Sequence, residues 1–188
     1  MARIAYLGPR GTFTEAALIQ MVAGGMVPGA ATTDEIPTDS TPAALDAVRS
    51  GTAEYACVPI ENSIDGSVSP TLDGLAYGSA LQIYAEVALD VAFSIVVAPG
   101  MAACDVRTVA AFPVAAAQVR RWLGEHLPNA SVVPTISNAS AAQDVRDGRA
   151  DAGVSTALAA ELYGLDALAE GVVDEANART RFVLVGPP

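Results

Sequence analysis

The stretch Arg3-Ile-Ala-Tyr-Leu-Gly-Pro-Arg-Gly-Thr-Phe-Thr-Glu-Ala-Ala-Leu-Ile-Gln-Met-Val22 decides the fold class of this 188-residue chain. Its first part, residues 3–7, is a short apolar run that predicts a β-strand. Thr12 and Glu15 have the spacing of a capping box, which predicts a helix over residues 14–22. A strand that leads directly into a helix is the repeating unit of α/β proteins. The loop between them exposes the N-terminus of the helix.

The same alternation continues along the chain. Thr41-Pro42 supplies an N-cap and a proline at the first helical position, and Gly51 a C-cap before a strand over residues 55–59. Ser69-Pro70 repeats this signal for a helix that ends near residue 78. The pattern then predicts two extended segments over 81–97, a strand over 108–111, a helix over 114–127, a strand over 131–136, a helix over 139–147 and a strand over 180–185.

An internal echo indicates two similar lobes. Val48-Arg-Ser-Gly-Thr-Ala-Glu54 and Val145-Arg-Asp-Gly-Arg-Ala-Asp151 each combine a helix end and a glycine cap ahead of a strand. Because this cap is common in α/β proteins, two unrelated units would also fit. We predict a two-lobed α/β architecture like that of periplasmic binding proteins, with an interlobe cleft. Lobe 1 takes roughly residues 1–78 plus 172–188, and lobe 2 roughly residues 79–171.

Composition and charge restrict the partners of the chain. A hydrophobic share of 52% and a charged share of 16% are typical of a soluble globular protein. A net charge of -11 repels nucleic acid and anionic membrane surfaces, so we expect neither as a partner, and any anion site must be local. The N-terminus has no basic run with an apolar core behind it, and no apolar stretch is long enough to span a bilayer. We therefore expect a cytoplasmic protein.

Several catalytic chemistries lack their residues. All ten basic residues are arginines, which excludes a Schiff-base lysine and the lysine of a P-loop. Cys57 and Cys104 form no Cys-x-x-Cys pair, and we interpret Cys57 as core filling. His126 is the only histidine and lies at a predicted helix end, where capping is its ordinary role. We expect no metal site and no Ser-His-Asp triad, so catalysis must use carboxylates, hydroxyls, amides and arginine.

Three polar segments interrupt the apolar background: Gly8-Pro-Arg-Gly-Thr-Phe-Thr14, Pro59-Ile-Glu-Asn-Ser-Ile-Asp-Gly66 and Asn177-Ala-Arg-Thr-Arg-Phe182. In the first, glycines permit close backbone approach and a helix N-terminus offers amides to an anion. The second follows a strand, where ligands bind in open α/β sheets, although residue type alone favours an Asx turn. The third is either a site or an edge strand with surface arginines.

Together and in this order, the three segments resemble the signature motifs of prephenate dehydratases. The match runs from Ile4-Ala-Tyr-Leu-Gly-Pro-Arg-Gly-Thr-Phe-Thr14 through Val58-Pro-Ile-Glu-Asn-Ser-Ile-Asp-Gly-Ser67 to the third segment, nearly the whole chain. Ala159-Ala-Glu-Leu-Tyr-Gly-Leu165 and Phe112-Pro-Val-Ala-Ala-Ala-Gln118 resemble two further family segments. The family usually has Ser-His before that proline, whereas this chain has Ala111 and Phe112, so no role is carried over to those two positions.

The resemblance implies the conversion of prephenate to phenylpyruvate, carbon dioxide and water, in phenylalanine biosynthesis and without a cofactor. Two alternatives stay open, namely arogenate as the substrate and a two-lobed module that binds a small molecule without catalysis. The resemblance also implies a homodimer or a higher homo-oligomer. Family members commonly carry a C-terminal ACT domain that binds phenylalanine, and nothing of that kind follows Val185. We therefore expect either a short natural protein or the catalytic domain of a longer one.

The resemblance assigns the acid role to Thr180, which protonates the leaving hydroxyl or only orients it. A free threonine hydroxyl is a very weak acid, so the role needs neighbours that stabilise its alkoxide or pass on a proton. Glu61 is the carboxylate assigned to catalysis beside Thr180. The other candidate members of this network are Asn62, Ser63 and Gln118.

The remaining assignments concern substrate binding. Thr12 and the amides after Gly11 are expected to contact an anionic group of the substrate. Arg181 pairs either with a substrate carboxylate or with Glu61, where it would hold the loop. Phe182 is expected to pack beside the substrate ring.

Overall fold

The computed structural model describes residues 1–29, 32–174 and 178–188, and the chain forms two compact units. Unit 1 comprises Met1–Asp90 and Asn177–Pro188, and unit 2 comprises Val91–Ala176. The first boundary lies later than the predicted position near residue 78, because Gln82–Asp90 is a strand in the sheet of unit 1. Each unit has one β-sheet with helices packed on it, which confirms the α/β class.

Most of the predicted strands and helices are present, with boundaries that differ by a few residues, whereas the strands Thr33–Thr38, Gly66–Ser67 and Asp166–Val172 were not predicted. The described strands are β1 (Ala2–Leu7), β2 (Thr33–Thr38), β3 (Tyr55–Asn62), β4 (Gly66–Ser67), β5 (Gln82–Asp90), β6 (Phe93–Val97), β7 (Thr108–Ala111), β8 (Ser131–Pro134), β9 (Ala152–Ser155), β10 (Asp166–Val172) and β11 (Arg179–Gly186). The described helices are α1 (Phe13–Ala23), α2 (Thr41–Arg49), α3 (Ser69–Ala76), α4 (Pro113–Gln118), α5 (Arg120–His126), α6 (Asn138–Arg146) and α7 (Ala157–Tyr163). None of these helices is long and apolar enough to cross a membrane.

Unit 1 is built on a sheet with the strand order β2-β1-β3-β11-β5, and β4 pairs with β3. β1 runs parallel to β2 and β3, whereas β11 runs antiparallel to both β3 and β5. Alternate residues of β11 belong to two cores on opposite faces, as the pleat of a strand requires. Phe182 and Leu184 pack in the cluster that contains Leu18 of α1, and Val183 packs with Leu45 of α2.

Three local features of unit 1 differ from what the sequence predicts. β3 continues through Asn62 instead of ending near residue 59, because pairing with β4 and β11 extends it. The N-cap of α2 is Ser40, whose hydroxyl accepts from the amide of Ala43, so Thr41 is already helical. The sequence did not predict β2, since its acidic residues and Pro37 disfavour a strand; edge positions such as this tolerate proline.

Unit 2 is built on a sheet with the strand order β10-β6-β9-β7-β8. β7 runs parallel to β8 and β9, and β6 pairs antiparallel with both β9 and β10. Helices α6 and α7 pack on it through Val96, Ala142 and Ala159. α6 lies so close to β9 that a Cβ on Gly153 would be 2.9 Å from the carbonyl oxygen of Ala141. A larger residue at that glycine would push the helix off the sheet.

The helix predicted over residues 114–127 is two helices, α4 and α5, which are interrupted at Val119. The carbonyl of Gln118 accepts a hydrogen bond of 2.7 Å from the amide of Asp174. The carboxylate of Asp174 accepts from the amides of Arg121 (2.6 Å) and Trp122 (3.2 Å). A side chain from a distant segment therefore caps α5, a partner that local sequence cannot indicate.

Cys57 and His126 lie as the sequence predicts. Cys57 is fully buried, its thiol lies 3.8 Å from the carbonyl of Thr14, and burial raises its pKa to about 12. His126 is the last residue of α5, where its ring stacks on Trp122 with 4.3 Å between the centroids. Its Nδ1 lies 3.0 Å from the Trp122 carbonyl oxygen. These contacts confirm a core role for Cys57 and a helix-end position for His126.

Candidate active site

The pairing of β3 with β11 brings Asn62 and Thr180 together, 118 positions apart in the chain. The two residues lie directly opposite each other in the antiparallel ladder. Asn62 Nδ2 donates a hydrogen bond of 2.8 Å to Thr180 Oγ1. Thr180 is only 8% exposed, so this bond lies in surroundings where a polar interaction is stronger than in water.

The amide of Asn62 has a defined orientation. Its Oδ1 accepts from the backbone amides of Ile64 (2.8 Å) and Asp65 (3.1 Å), which forms an Asx turn after β3. Because the oxygen serves the turn, the NH₂ group must face Thr180. The hydroxyl of Thr180 therefore accepts from Asn62 and keeps its own proton for donation. The Asx turn, which the sequence offered as the alternative to a binding site, is present, and Asn62 contacts Thr180 as well.

Ser63 joins the end of β3 to the start of β11. Its amide donates to the carbonyl of Arg179 at 2.8 Å, and its hydroxyl accepts from the Arg179 amide at 2.8 Å. This reciprocal pair holds the residue before Thr180 in place. Asn177, the first residue of the third motif, lies outside the described residues.

Thr12 is the N-cap of α1. Its hydroxyl oxygen lies 3.3 Å from the amide of Glu15, from which it accepts, and the hydroxyl donates to the carbonyl of Leu7 at 3.2 Å. The capping box is confirmed with one change: Glu15 reaches back to the amide of Gly11 rather than to that of Thr12. Thr12 thus ties the loop after β1 to the helix that follows it.

Glu15 places a negative charge at the N-terminus of α1. Its side chain is buried, and it accepts from the hydroxyl of Tyr6 (3.2 Å) and from Arg10 Nε (3.3 Å). Burial, reinforced by the Glu15 carboxylate, raises the pKa of Tyr6 and that of Glu35. Since the Gly11 amide already serves Glu15, an anionic ligand at this loop would need the amides that follow it.

Arg181 contacts two carboxylates on neighbouring strands. Its Nη1 lies 2.5 Å from Glu61 Oε2, while Nε and Nη2 lie 2.7 and 2.9 Å from the two carboxylate oxygens of Glu86. The hydrogen bond from Arg181 lowers the pKa of Glu86, and the two carboxylates raise that of Arg181. Of the two roles predicted for Arg181, the structure contains the pairing with Glu61. Glu86 was not predicted, because no sequence motif marks it.

Glu61 and Phe182 lie on different faces of the sheet. Glu61 precedes Asn62 in β3, so the pleat points it toward Arg181 and away from Thr180. Phe182 is 2% exposed and shares the face of Thr180, where it packs in the cluster with Tyr6. The Thr180 face therefore carries hydroxyl, amide and aromatic groups, and the opposite face carries the ion pairs.

Gln118 belongs to unit 2, whereas the residues above belong to unit 1. It is the last residue of α4, and its Oε1 is buried without a hydrogen-bond partner among the described residues. Asn138, at the start of α6, also has a buried Oδ1 without a hydrogen-bond partner among the described residues. The sequence did not mark Asn138 as a candidate site residue. Buried polar atoms of this kind call for an explanation such as a ligand or a water. Ala111 is buried, and Phe112 caps α4 without a side-chain hydrogen bond.

Comparison with known proteins shows the family of the chain. Residues 4–188 match the family model described as prephenate dehydratase. A prephenate dehydratase from Mycobacterium sp. (strain JLS) is 71% identical over 192 residues, which cover 100% of this chain and 61% of that protein. The chain therefore spans about three-fifths of the length of this curated relative.

Solved structures of other proteins resemble the fold of this chain. The crystal structure of a prephenate dehydratase from Arthrobacter aurescens in complex with L-Phe is 42% identical, with a TM-score of 0.87 over 99% of this chain and 60% of that one. An ABC transporter periplasmic substrate-binding protein from Coxiella burnetii has a TM-score of 0.52 at 11% identity, over 100% of this chain and 85% of that one. This second likeness confirms the two-lobed fold alone. The chain belongs to the prephenate dehydratase family.

Proposed function

We propose that this chain is the catalytic domain of a prephenate dehydratase, which converts prephenate to phenylpyruvate, carbon dioxide and water in phenylalanine biosynthesis. The observation that carries the proposal is the hydrogen bond of 2.8 Å from Asn62 to the buried Thr180 hydroxyl. Family membership across residues 4–188 supports it. Because aromatisation of the ring supplies the driving force, we propose no cofactor.

The reaction breaks two bonds that join the substrate ring to its substituents, one to the carboxylate and one to the hydroxyl. As the bond to the ring carboxylate breaks, its electrons enter the ring, carbon dioxide leaves, and the C–O bond to the ring hydroxyl breaks. Thr180 donates its proton to the departing hydroxyl, which leaves as water, and Thr180 regains a proton from solvent. The Asn62 NH₂ group stabilises the negative charge that develops on Thr180 Oγ1.

The other predicted contacts complete the proposal. Ser63 holds the backbone next to Thr180 and, with Thr12, contributes to substrate binding. Gln118 is proposed to accept a hydrogen bond from the substrate, which would supply a partner for its buried Oε1. Glu61 and Arg181 act as a pair from the other face of the sheet, and Phe182 supplies the apolar wall beside Thr180.

Substitution of Thr180 tests the acid role. We expect Thr180→Ala to lower kcat for phenylpyruvate formation by roughly 10²- to 10⁴-fold. Thr180→Ser keeps the hydroxyl and should retain most of the activity. Thr52→Ala, at an exposed threonine in the loop before β3, is the control and should leave kcat unchanged. Wild-type turnover in Thr180→Ala, with an unchanged melting temperature, would refute the acid role.

The same assay separates the alternative functions. Faster turnover of arogenate than of prephenate would assign the amino-acid counterpart as the substrate. Saturable binding of prephenate without product would indicate a binding module, because the fold alone does not establish a reaction.

We also propose that the protein is cytoplasmic and forms a homodimer. Cys57 and Cys104 are both free thiols, which suits a reducing compartment. The homodimer is an expectation from the family, and sedimentation of the purified chain tests it. A monomer at micromolar concentration would contradict it.

A further inference from the structure

Arg181 is the point at which three strands of unit 1 are linked by side chains. β11 lies between β3 and β5 and runs antiparallel to both. Arg181 lies directly opposite Glu61 on β3 and opposite Ala88 on β5. Glu86 is two residues from Ala88 and therefore on the same face, in diagonal reach of Arg181. The group formed by Glu61, Arg181 and Glu86 is here named the arginine clamp.

The backbone pairing beside this clamp is irregular. Arg181 pairs with Glu61, but Phe182 pairs with Pro59, so Ile60 is an extra residue in β3. Such a bulge bends the strand and interrupts the ladder of hydrogen bonds. One pair, Arg181 with Glu61, separates this interruption from the pair formed by Thr180 and Asn62. Backbone hydrogen bonds alone therefore hold this end of the pairing less firmly than a regular ladder would.

Each of the three guanidinium nitrogens of Arg181 contacts a carboxylate. Its three nitrogens contact three carboxylate oxygens at 2.5 to 2.9 Å, and the contact with Glu86 is bidentate. Bidentate pairing fixes geometry as well as adding energy. With two carboxylates and one guanidinium, the clamp carries a net negative charge. A carboxylate of a substrate that approached Arg181 would be repelled by Glu61 and Glu86.

Two residues of the clamp are sequence neighbours of Thr180 and Asn62. Arg181 is covalently next to Thr180, and Glu61 is next to Asn62, so both partners of the 2.8 Å hydrogen bond adjoin a clamp residue. Side chains of adjacent residues point to opposite faces of a sheet. The clamp can therefore act on Thr180 only through the backbone of β3 and β11.

We propose that Glu86, Arg181 and Glu61 are positioning residues, which hold β3, β11 and β5 in the register that keeps Thr180 against Asn62, and that Arg181 does not bind substrate. This inference rests on the proposed function for its kinetic readout. It assigns a role to Glu86, a residue outside the three motifs.

The kinetic test uses Glu86→Gln, Arg181→Met and the double variant, assayed for phenylpyruvate formation from prephenate. We expect each single substitution to lower kcat by roughly tenfold to a hundredfold, with KM changed by less than about threefold. The double variant should lose no more than Arg181→Met alone, because both remove the same interaction. Asp90→Asn is the matched control, since Asp90 pairs with Arg179 on the same two strands, and it should leave kcat unchanged.

A structural readout separates this proposal from the proposed function. The side-chain NH₂ resonances of Asn62 in the full chain, identified by their loss in Asn62→Asp, should shift in Glu86→Gln and stay unchanged in Asp90→Asn. If wild-type protein does not turn over prephenate, the proposed function fails and the resonances still decide on the clamp. Should Glu86→Gln not fold, Glu61→Gln provides the same test from β3.

Two results would overturn the proposal. One is a Glu86→Gln variant with unchanged Asn62 resonances and unchanged kcat. The other is an Arg181→Met variant in which KM rises about tenfold or more at constant kcat, together with a lower KM in Glu86→Gln. That second pattern would mean that Arg181 binds a substrate carboxylate and that Glu86 competes for it.

Discussion

Thr180 depends on its neighbour because a threonine hydroxyl alone is too weak an acid for the proposed step. Asn62 addresses this by donating to Thr180 Oγ1 while its own oxygen is held by the Ile64 and Asp65 amides. An asparagine suits this position since it must accept on one side and donate on the other. Among side chains of this size, the arrangement therefore requires an amide.

Asn62→Asp should lower kcat by roughly tenfold to a hundredfold with little change in melting temperature. The carboxylate still accepts from the turn amides, but it cannot donate to Thr180, whose proton would turn toward it and away from the substrate. Measurement of kcat and of thermal unfolding on the same sample checks this. Asn62→Ala, which also loses the turn, should be less stable as well as slow. Full activity in Asn62→Asp would contradict the proposed support of Thr180.

At the scale of elements, side chains from distant segments cap the start of α5 and tie β1 to β3. Asp174 accepts the amides of Arg121 and Trp122 and so begins α5. Arg3 pairs with Glu54 through its guanidinium at 2.7 Å and through its backbone amide at 2.6 Å, which ties β1 to the start of β3. Both contacts join residues more than 50 positions apart, so neither belongs to a local motif.

Asp174→Ala should lower the free energy of unfolding by about 1 kcal/mol, because two amides at the start of α5 lose their acceptor. Asp174→Asn retains an oxygen acceptor and should cost less. Denaturant titration of the three proteins measures the difference. Asp105→Ala, at an exposed aspartate in unit 2, serves as the control, and an Asp174→Ala variant as stable as this control would contradict the capping role.

The contact between Arg3 and Glu54 should make stability depend on pH in acid. The hydrogen bond from Arg3 lowers the pKa of Glu54 in the folded protein from its usual 4.5 to about 2. A carboxyl group whose pKa is lowered by folding stabilises the protein at pH values above the pKa that the group has in the unfolded chain. This stabilisation is lost as the pH falls to the pKa of the group in the folded protein. The denaturation midpoint of wild type should thus exceed that of Glu54→Gln above about pH 4.5 and converge with it toward pH 2. A difference that does not change with pH would contradict this assignment.

At the scale of the whole molecule, the protein and the proposed substrate both carry negative charge and repel each other. The net charge of -11 repels an anion from a distance, and the clamp of Glu61, Arg181 and Glu86 adds no positive charge. Binding of prephenate must therefore work against the long-range field and rely on short-range contacts. Salt weakens the field more than it weakens buried hydrogen bonds.

The KM for prephenate should fall by roughly twofold to fivefold when ionic strength rises from about 10 mM to about 150 mM. Over that range the Debye length shortens from about 30 Å to about 8 Å, so the repulsion is screened. Steady-state assays in NaCl check this, with KCl as a control for effects of the specific cation. A KM that rises with salt would show that a local positive field dominates the approach of the substrate.

The sequence alone determined the α/β class and most strands and helices. These features follow from short-range physics, because hydrophobic period, caps and prolines act within a few residues. Strand β2 was missed since its acidic residues and Pro37 obscure the strand signal, and the edge of the sheet accepts them. The motifs that resemble the family carried the candidate residues, although not their geometry.

Only the tertiary structure decided which face each candidate occupies and what it contacts. The pleat and the bulge at Ile60 put Glu61 with Arg181 and Asn62 with Thr180, a division that neighbouring positions in sequence do not announce. The same holds for Glu86 and Asp174, which act on residues 95 and 53 positions away. Such contacts depend on strand register and chain path, which arise from packing of the whole unit rather than from any local preference.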